Sequence, residues 1–379
     1  MHIVVLGGGF VGSAVVRDLA ESGYRVTLAD RDPTALKRAE AITGGAVALL
    51  EADLSEPSAL ASAVADATLV VGAVPGFMGF ETVRGVLEAG KAVVDICFFP
   101  EDAFELDGLA RGAGVPCLVD CGVAPGISNL ILGRHEADMD ETTRFACYVG
   151  GLPVERGWPF EYKASFSPTD IIEEYLRPAR LRIDGREVVR PALSEVEAVD
   201  IPGLGTLEAF NTDGLRSLLR TSSTPTLIEK TMRYPGHADR MRMLRDIGFL
   251  SREVIETTSG AVRPRDLAER LLFEAWKYGE GEADLTVMRI EVDGVEEGAP
   301  VRHVYEMLDR YDPVTDTSSM ARTTGYACTA IVHLVASELW TDAGVAPLEM
   351  VGRRADCFDA ALAHLAERDV RFDHSVEML

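Results

Sequence analysis

The sequence predicts an α/β protein of two domains, a doubly wound parallel sheet followed by a second domain of α+β type. Three observations predict it. At 379 residues the chain is too long for one ordinary core. Apolar, β-branched runs alternate with helical-period segments through the first third of the chain. After "APGISN" (124–129) that alternation gives way to period-two stretches separated by independent helices.

The elements of the first domain follow in order. His2–Leu6 reads as a buried strand, and Gly7, Gly9 and Gly12 then fit G-x-G-x-x-G. Ser13–Ser22 is helical in pattern and stops at Gly23, and Arg25–Asp30 is a second strand. The glycine motif therefore sits in a strand–turn–helix–strand frame. Gly7 permits the tight turn, Gly9 lets backbone approach a pyrophosphate, and Gly12 allows close helix–strand packing. Further strands are expected at 46–50, 69–74, 92–96 and 116–120, with helices at 58–65, 83–89 and 107–111 between them. The whole is a Rossmann-type arrangement over residues 1–125.

In the second domain, expected over 126–310, "RFACYVGGLP", "YKASFS", "ARLRIDGREVVRP" and "VEAVDIPGLGTLEAF" read as strands. "IDGRE" (183–187) and Asp293-Gly294 are hairpin turns by their Asp-Gly pairs. Pro264 opens a helix. Asn211, Thr212 and Asp213 stand where an N-cap would precede a helix. Residues 311–379 read as helices that return to the first domain, with Ala321, Gly325 and Ala327 allowing close approach.

Composition narrows the function classes. Hydrophobic residues make 47% and charged residues 26%, a globular balance. The net charge of −24 disfavours nucleic acid and anionic membranes as partners. No apolar run approaches the roughly 20 residues that span a bilayer. The start of the chain lacks a signal-peptide pattern, so a cytoplasmic location is expected. Six scattered cysteines include Cys117 and Cys121 but no second pair with metal spacing, which reads as buried reduced thiols and no metal.

The candidate site residues fall into three groups. For a dinucleotide they are Gly7, Gly9, Phe10, Val11, Gly12, Asp30, Arg31, Asp53 and Ala73, Val74 and Pro75. A carboxylate at Asp30 binds ribose hydroxyls and repels a 2′-phosphate, so NAD is favoured over NADP, although Arg31 could accept that phosphate. Asp95 and Asp120 end later strands within apolar runs, where they either wall an active site or accept bonds from loop N–H groups. Arg233 suits a substrate carboxylate, and His237 either exchanges protons or caps a helix.

"VVLGGGFVG", "VDCGVAPGISN", "YVGGLP", "IIEEYLRPARLRIDG", "EAFNTDGLRSLL", "KTMRYPGHADRMRMLRDIGF" and "MARTTGYACTA" occur in order over nearly the whole chain. Together they resemble the saccharopine dehydrogenase-like family. The resemblance implies a nucleotide domain, a substrate and dimerisation domain, and hydride transfer between a C–N bond and a nicotinamide. It places Gly150, Gly151, Pro153, Asn211, Thr212, Arg233 and Tyr234 around an amino-acid substrate, in a homodimer or higher oligomer. Saccharopine-forming members usually carry an acid where this chain has Ala124, often a Tyr where it has Cys97, and favour NADP where it has Asp30. These departures point to the branch that oxidises L-lysine at its ε-carbon. The general base expected there is Asp120, then Asp95, with His237 third. A reductase forming secondary amines, and a non-catalytic NAD-sensing protein, are the alternatives.

Overall fold

The computed structural model describes residues 1–164, 168–258, 260–279 and 281–379. The chain divides into two compact units, Met1–Met139 with Ala321–Phe372, and Asp140–Met320 with Asp373–Leu379.

The first unit begins with β1 (His2–Leu6), α1 (Phe10–Glu21), β2 (Arg25–Asp30), α2 (Pro33–Thr43), β3 (Ala48–Glu51) and α3 (Pro57–Val64). It continues with β4 (Leu69–Gly72), α4 (Gly76–Glu88), β5 (Ala92–Asp95), α5 (Asp107–Ala113), β6 (Pro116–Val119) and α6 (Ile127–Asp138). The second unit holds β7 (Glu141–Pro153), α7 (Pro168–Leu176), β8 (Ala179–Ile183), β9 (Arg186–Arg190), β10 (Glu197–Ile201), β11 (Gly205–Asn211) and α8 (Leu218–Thr221). Then come β12 (Thr226–Arg233), α9 (His237–Asp246), β13 (Ile255–Thr257), β14 (Gly260–Val262), α10 (Pro264–Trp276), β15 (Asp284–Glu296) and β16 (Ala299–Arg310). The chain closes with α11 (Ser319–Ala336), β17 (Gly344–Pro347), α12 (Leu348–Gly352), α13 (Ala355–Glu367) and β18 (Asp373–Met378).

The first sheet runs β17-β6-β5-β4-β1-β2-β3, and its pairs are parallel. Strand order reverses between β1 and β4, which opens a crevice beyond their C-terminal ends. Val4, Leu6, Val70 and Val93 pack with Val83, Val86 and Leu87 of α4 to form the core on one face. The seventh strand, β17, was not expected. It has four residues and ends in Pro347, too short and too interrupted to read as a strand in sequence.

The first unit also extends past the expected boundary at residue 125, through α6 to Met139. Backbone contact explains this. A Cβ on Gly133 would lie 2.0 Å from the Glu349 carbonyl oxygen, and one on Gly352 would lie 2.0 Å from that of Leu130, so α6 and α12 touch main chain to main chain. At Gly325, α11 packs closely on α1, since a Cβ there would lie 3.2 Å from the Ala14 Cβ. Residues 373–379 belong instead to the second unit, where β18 pairs with β16.

The second sheet has the path β10-β11-β12-β7-β15-β16-β18, with β8 paired to β12 and β9 paired to β8. It is mixed: β12 and β7 are parallel, while the other pairs are antiparallel. Asp184 and Gly185 turn β8 into β9 with φ of 48° and 77°, the left-handed pair that suits a two-residue hairpin. The second expected turn is displaced. β15 continues through Asp293 and Gly294, with a register shift against β7 between them, and turns at Glu297 and Gly298 (φ 50° and 79°). Asp293 is held in the strand by a two-bond pair with Arg302 across the ladder, at 2.6 and 2.8 Å. The "YKASFS" segment gives no strand at Tyr162–Ala164, and residues 165–167 lie outside the described residues. All six cysteines are free and buried. Among the described residues no helix is long and apolar enough to cross a membrane.

Candidate active site

In the first unit the glycine loop lies at the crevice. Gly7 has φ of 103°, and a Cβ there would come within 2.4 Å of the Ala73 carbonyl oxygen. A Cβ at Gly12 would lie 2.0 Å from the Gly7 carbonyl oxygen, so α1 packs on the turn only because residue 12 is glycine. Over Gly9 there is open space, with no atom within 4 Å of the Cβ position. Gly9 caps α1 without a side chain, leaving the first-turn N–H groups facing that space. Such a helix end binds phosphate.

Asp30 closes the other side. Its Oδ2 accepts a hydrogen bond from the Gly8 N–H at 2.6 Å and its Oδ1 one from the Asp32 N–H at 2.8 Å. The carboxylate is thus fixed against the loop it was expected to serve. Ala73, Val74 and Pro75 follow β4 across the crevice, and Pro75 caps α4. Phe10 is 64% exposed beneath the Arg38 guanidinium, 5.5 Å from the ring centre, while Val11 is half-buried. Arg31 is exposed. Asp53 is folded into its own turn, accepting from the Ser55 hydroxyl and N–H at 2.6 and 3.0 Å, bonds that hold its carboxyl below the usual range. The open space above Gly9, the uncapped helix end and the fixed carboxylate fit a dinucleotide.

Asp95 and Asp120 are both buried at the C-terminal side of this sheet. Asp95 accepts the Cys97 N–H at 2.9 Å, and its carboxylate lies over Gly72, where a Cβ would sit 2.0 Å from Oδ1. Asp95 thus accepts a bond from a loop N–H group, as one of its two readings expects. Asp120 follows β6 with φ of 56°, in the left-handed region that non-glycine residues seldom adopt and Asp tolerates better than most. Residues held this way cluster at functional sites. Burial, with Asp95 nearby, raises the Cys97 thiol well above its ordinary range and keeps it protonated.

In the second unit, β7 and β12 run parallel, so Gly150, Gly151 and Pro153 finish on the same side of the sheet as Arg233 and Tyr234. A Cβ on Gly150 would lie 2.5 Å from the Met232 carbonyl oxygen. The Tyr234 hydroxyl donates to the Pro153 carbonyl at 2.9 Å. Arg233 is 3% exposed. Its Nη1 donates to the Met232 carbonyl at 2.9 Å, its Nη2 lies 3.4 Å from Glu174 Oε2, and its Cζ sits 4.6 Å above the Tyr162 ring. Its buried Nε has no hydrogen-bond partner among the described residues. Glu174 keeps about a third of its side chain at the surface (32%), yet its carboxyl is enclosed enough for burial to push it up to about 7 against the pull of Arg233.

His237 opens α9, as expected, but it is fully buried. Its Nδ1 lies 3.1 Å from the Phe160 carbonyl and so carries the proton, and its Nε2 accepts from the Tyr175 hydroxyl at 2.9 Å. Burial, with Arg233 behind it, lowers it to about 3. The enclosed ring is neutral at physiological pH, which speaks against the proton exchange expected of it. The capping is done by Glu208, whose two oxygens accept the Gly236 and Ala238 N–H groups at 2.7 and 2.6 Å.

Asn211 and Thr212 are also corrected. Asn211 ends β11 rather than capping a helix, and its Nδ2 donates to Ser194 Oγ (3.1 Å) and Glu195 Oε2 (2.9 Å). Its register partner is Lys230, three positions below Arg233 on β12. Thr212 Oγ1 donates to Glu229 Oε2 at 2.8 Å, and Asp213 pairs with Arg180 at 2.9 and 3.0 Å. Glu229 is buried, which pushes its carboxyl up to about 8. The structure therefore gathers Arg233 and His237 with Tyr162, Tyr175 and Glu174, none of which the sequence reading selected. A signal existed for Glu174: it falls three residues after Ile171, on the turn of α7 that buries Ile171, Ile172 and Tyr175.

A parallel sheet with a glycine loop at its switch point defines a dinucleotide-binding protein, and comparison with known proteins narrows the class. Residues 3–118 match the sequence model of the saccharopine dehydrogenase NADP binding domain, and residues 122–370 that of the saccharopine dehydrogenase C-terminal domain. The chain belongs to the saccharopine dehydrogenase family. It is 27% identical over 264 residues to the saccharopine dehydrogenase [NADP(+), L-glutamate-forming] of Pyricularia oryzae, covering 66% of this chain and 58% of that one. It is 27% identical over 282 residues to the Schizosaccharomyces pombe protein of the same name, covering 68% and 60%. The chain thus aligns with 58–60% of the length of these curated relatives. Its fold matches that of the apo saccharopine dehydrogenase (L-Glu forming) from Saccharomyces cerevisiae, with a TM-score of 0.79 at 19% identity over 99% of both chains. The matched domain and relatives point to a nicotinamide cofactor and name NADP, against the NAD expected from Asp30.

Proposed function

We propose that the protein is a nicotinamide-dependent oxidoreductase acting on a C–N bond of an amino acid, and that its substrate is L-lysine, oxidised at the ε-carbon with NAD. One observation carries the reading: the same chain holds a dinucleotide loop closed by a fixed carboxylate and a buried arginine with an unsatisfied Nε. A buried polar group without a partner is costly unless a ligand completes it, and a guanidinium is matched to a carboxylate. Arg233 is accordingly assigned to the substrate α-carboxylate.

When bound, the nicotinamide supplies the hydride acceptor. The ammonium must lose a proton before hydride leaves its carbon. Water then adds to the imine. The overall balance is R–CH2–NH3⁺ + NAD⁺ + H2O → R–CHO + NADH + NH4⁺ + H⁺, and the lysine semialdehyde cyclises.

Support for NAD comes from Asp30, whose negative charge is held where a 2′-phosphate would lie. Support for the lysine branch comes from Ala124 and Cys97 at positions where saccharopine-forming members carry other residues. The names of the curated relatives favour a second reading, NADP-dependent oxidation of saccharopine that forms L-glutamate. Absorbance at 340 nm decides between them, with each cofactor against L-lysine, L-ornithine and saccharopine. Reduction of NAD by lysine alone with release of ammonia is expected. Turnover of saccharopine without lysine overturns the lysine assignment and keeps the family reaction.

A further inference from the structure

Within the first unit, three helices place Asp18 (α1), His333 (α11) and His364 (α13) together, with one ligand-capable atom from each within 4.8 Å of the others. We propose that these three side chains form a binding site for one divalent transition-metal ion of the zinc class. The site is independent of the dinucleotide and amino-acid readings above.

The donor set is two imidazoles and a carboxylate, a combination suited to zinc, cobalt and nickel rather than to magnesium or calcium. Its spacing fits one coordination shell: His364 Nε2 lies 3.5 Å from Asp18 Oδ2. Ligands about 2.0–2.2 Å from a tetrahedral zinc stand roughly 3.3–3.6 Å apart. The His333 and His364 rings are tilted with centres 4.7 Å apart, so a small closure brings the third donor in.

Two of these atoms also lack hydrogen-bond partners. His333 Nε2 and Asp18 Oδ2 are buried without a hydrogen bond among the described residues, the carboxylate oxygen keeping only its 3.5 Å approach to His364. A buried orphan on a histidine and another on the facing carboxylate call for an explanation, and a cation between them supplies one for both.

The surroundings resemble the outer shell that orients metal ligands. The other nitrogen of His333, Nδ1, is 3.0 Å from the Tyr24 hydroxyl. The other oxygen of Asp18, Oδ1, is bonded by Arg368 Nε. Thr329 Oγ1 lies 2.9 Å from His364 Nε2 and 3.2 Å from the Tyr326 carbonyl, so it has a second acceptor when that nitrogen turns to a metal. A cavity of about 430 Å³, lined by His333, His364, Ser337 and Arg368 among others, has room for water as a fourth ligand. A metal here would tie the two C-terminal helices to the first helix of the nucleotide fold.

The test uses the full chain, stripped with a chelator and titrated with cobalt(II) and with zinc(II). Expected are one cobalt per chain with a visible ligand-field spectrum, displacement by zinc, and a rise in melting temperature on zinc addition. His333→Gln and Asp18→Asn should each weaken binding at least tenfold, with folding checked by circular dichroism. His303→Gln, in the second unit, should leave it unchanged. If His333→Gln fails to fold, His364→Gln replaces it. A wild-type chain that binds neither metal below millimolar concentration overturns the proposal, with no variant required. Binding that survives in the folded His333 or His364 variant overturns it as well.

Discussion

Asp30 braces the glycine loop and is proposed to hold the adenosine ribose as well, and the two roles separate by substitution. Its carboxylate accepts the Gly8 N–H and stands where the adenosine ribose would be. Asp30→Ser should raise the KM for NAD by about 10- to 100-fold, the range for losing a hydrogen bond to a charged group, while changing that for NADP much less. Equal loss for both cofactors would mean that Asp30 only braces the loop. Gly12→Ala sets a Cβ 2.0 Å from the Gly7 carbonyl oxygen. Overpacking of this kind costs about 1–3 kcal/mol, and both the urea midpoint and NAD affinity should fall. Glu229 gives a pH signature. Between its ordinary value of 4.5 and about 8, the folded chain keeps a proton that the unfolded chain has released. Its contribution is fully present below 4.5 and is lost as pH rises through about 8, at up to about 1.4 kcal/mol per pH unit. Glu229→Gln cannot titrate, so melting temperature should decline less steeply over that window than in the wild type. The glycines and Asp30 were legible in sequence because backbone geometry restricts what can stand there. Glu229, Tyr162 and Tyr175 were not, because their meaning comes from burial against residues distant in the chain.

Among the elements, α9 shows how a helix start can mislead. "RYPGHADRM" offers His237 as the conspicuous polar residue, yet the ring is enclosed and the free N–H groups of the first turn go to Glu208 on β11. A carboxylate there also meets the positive end of the helix dipole. Glu208→Ala should lower stability by about 1–2 kcal/mol, read as a urea midpoint shift with unchanged slope. No change would mean that solvent replaces the cap. The parallel strands of the first sheet were readable because each is a buried β-branched run bounded by turn residues. The Asp184-Gly185 hairpin was readable for its left-handed pair, whereas the same dipeptide at Asp293-Gly294 lies inside a strand, where the Arg302 pair and the continuous ladder with β16 override the local turn preference.

At the scale of the whole molecule, the sequence order of the seven family-like stretches proved a sound guide, and both family domains match in that order. The domain edges were less legible. α6 and β17 join the first unit through backbone contacts and edge pairing that leave no periodic signal. The cofactor is where sequence and relatives part, Asp30 favouring NAD and the relatives' names NADP. The central claim is hydride transfer from an amine-bearing carbon to a nicotinamide, and isotope transfer tests it most directly. The protein is incubated with L-lysine deuterated at the ε-carbon and NAD, and the reduced cofactor is analysed by mass spectrometry. The account predicts one deuterium per reduced nicotinamide, formed together with ammonia. Reduced cofactor without deuterium, or no reduction with lysine, saccharopine or either cofactor, would contradict it.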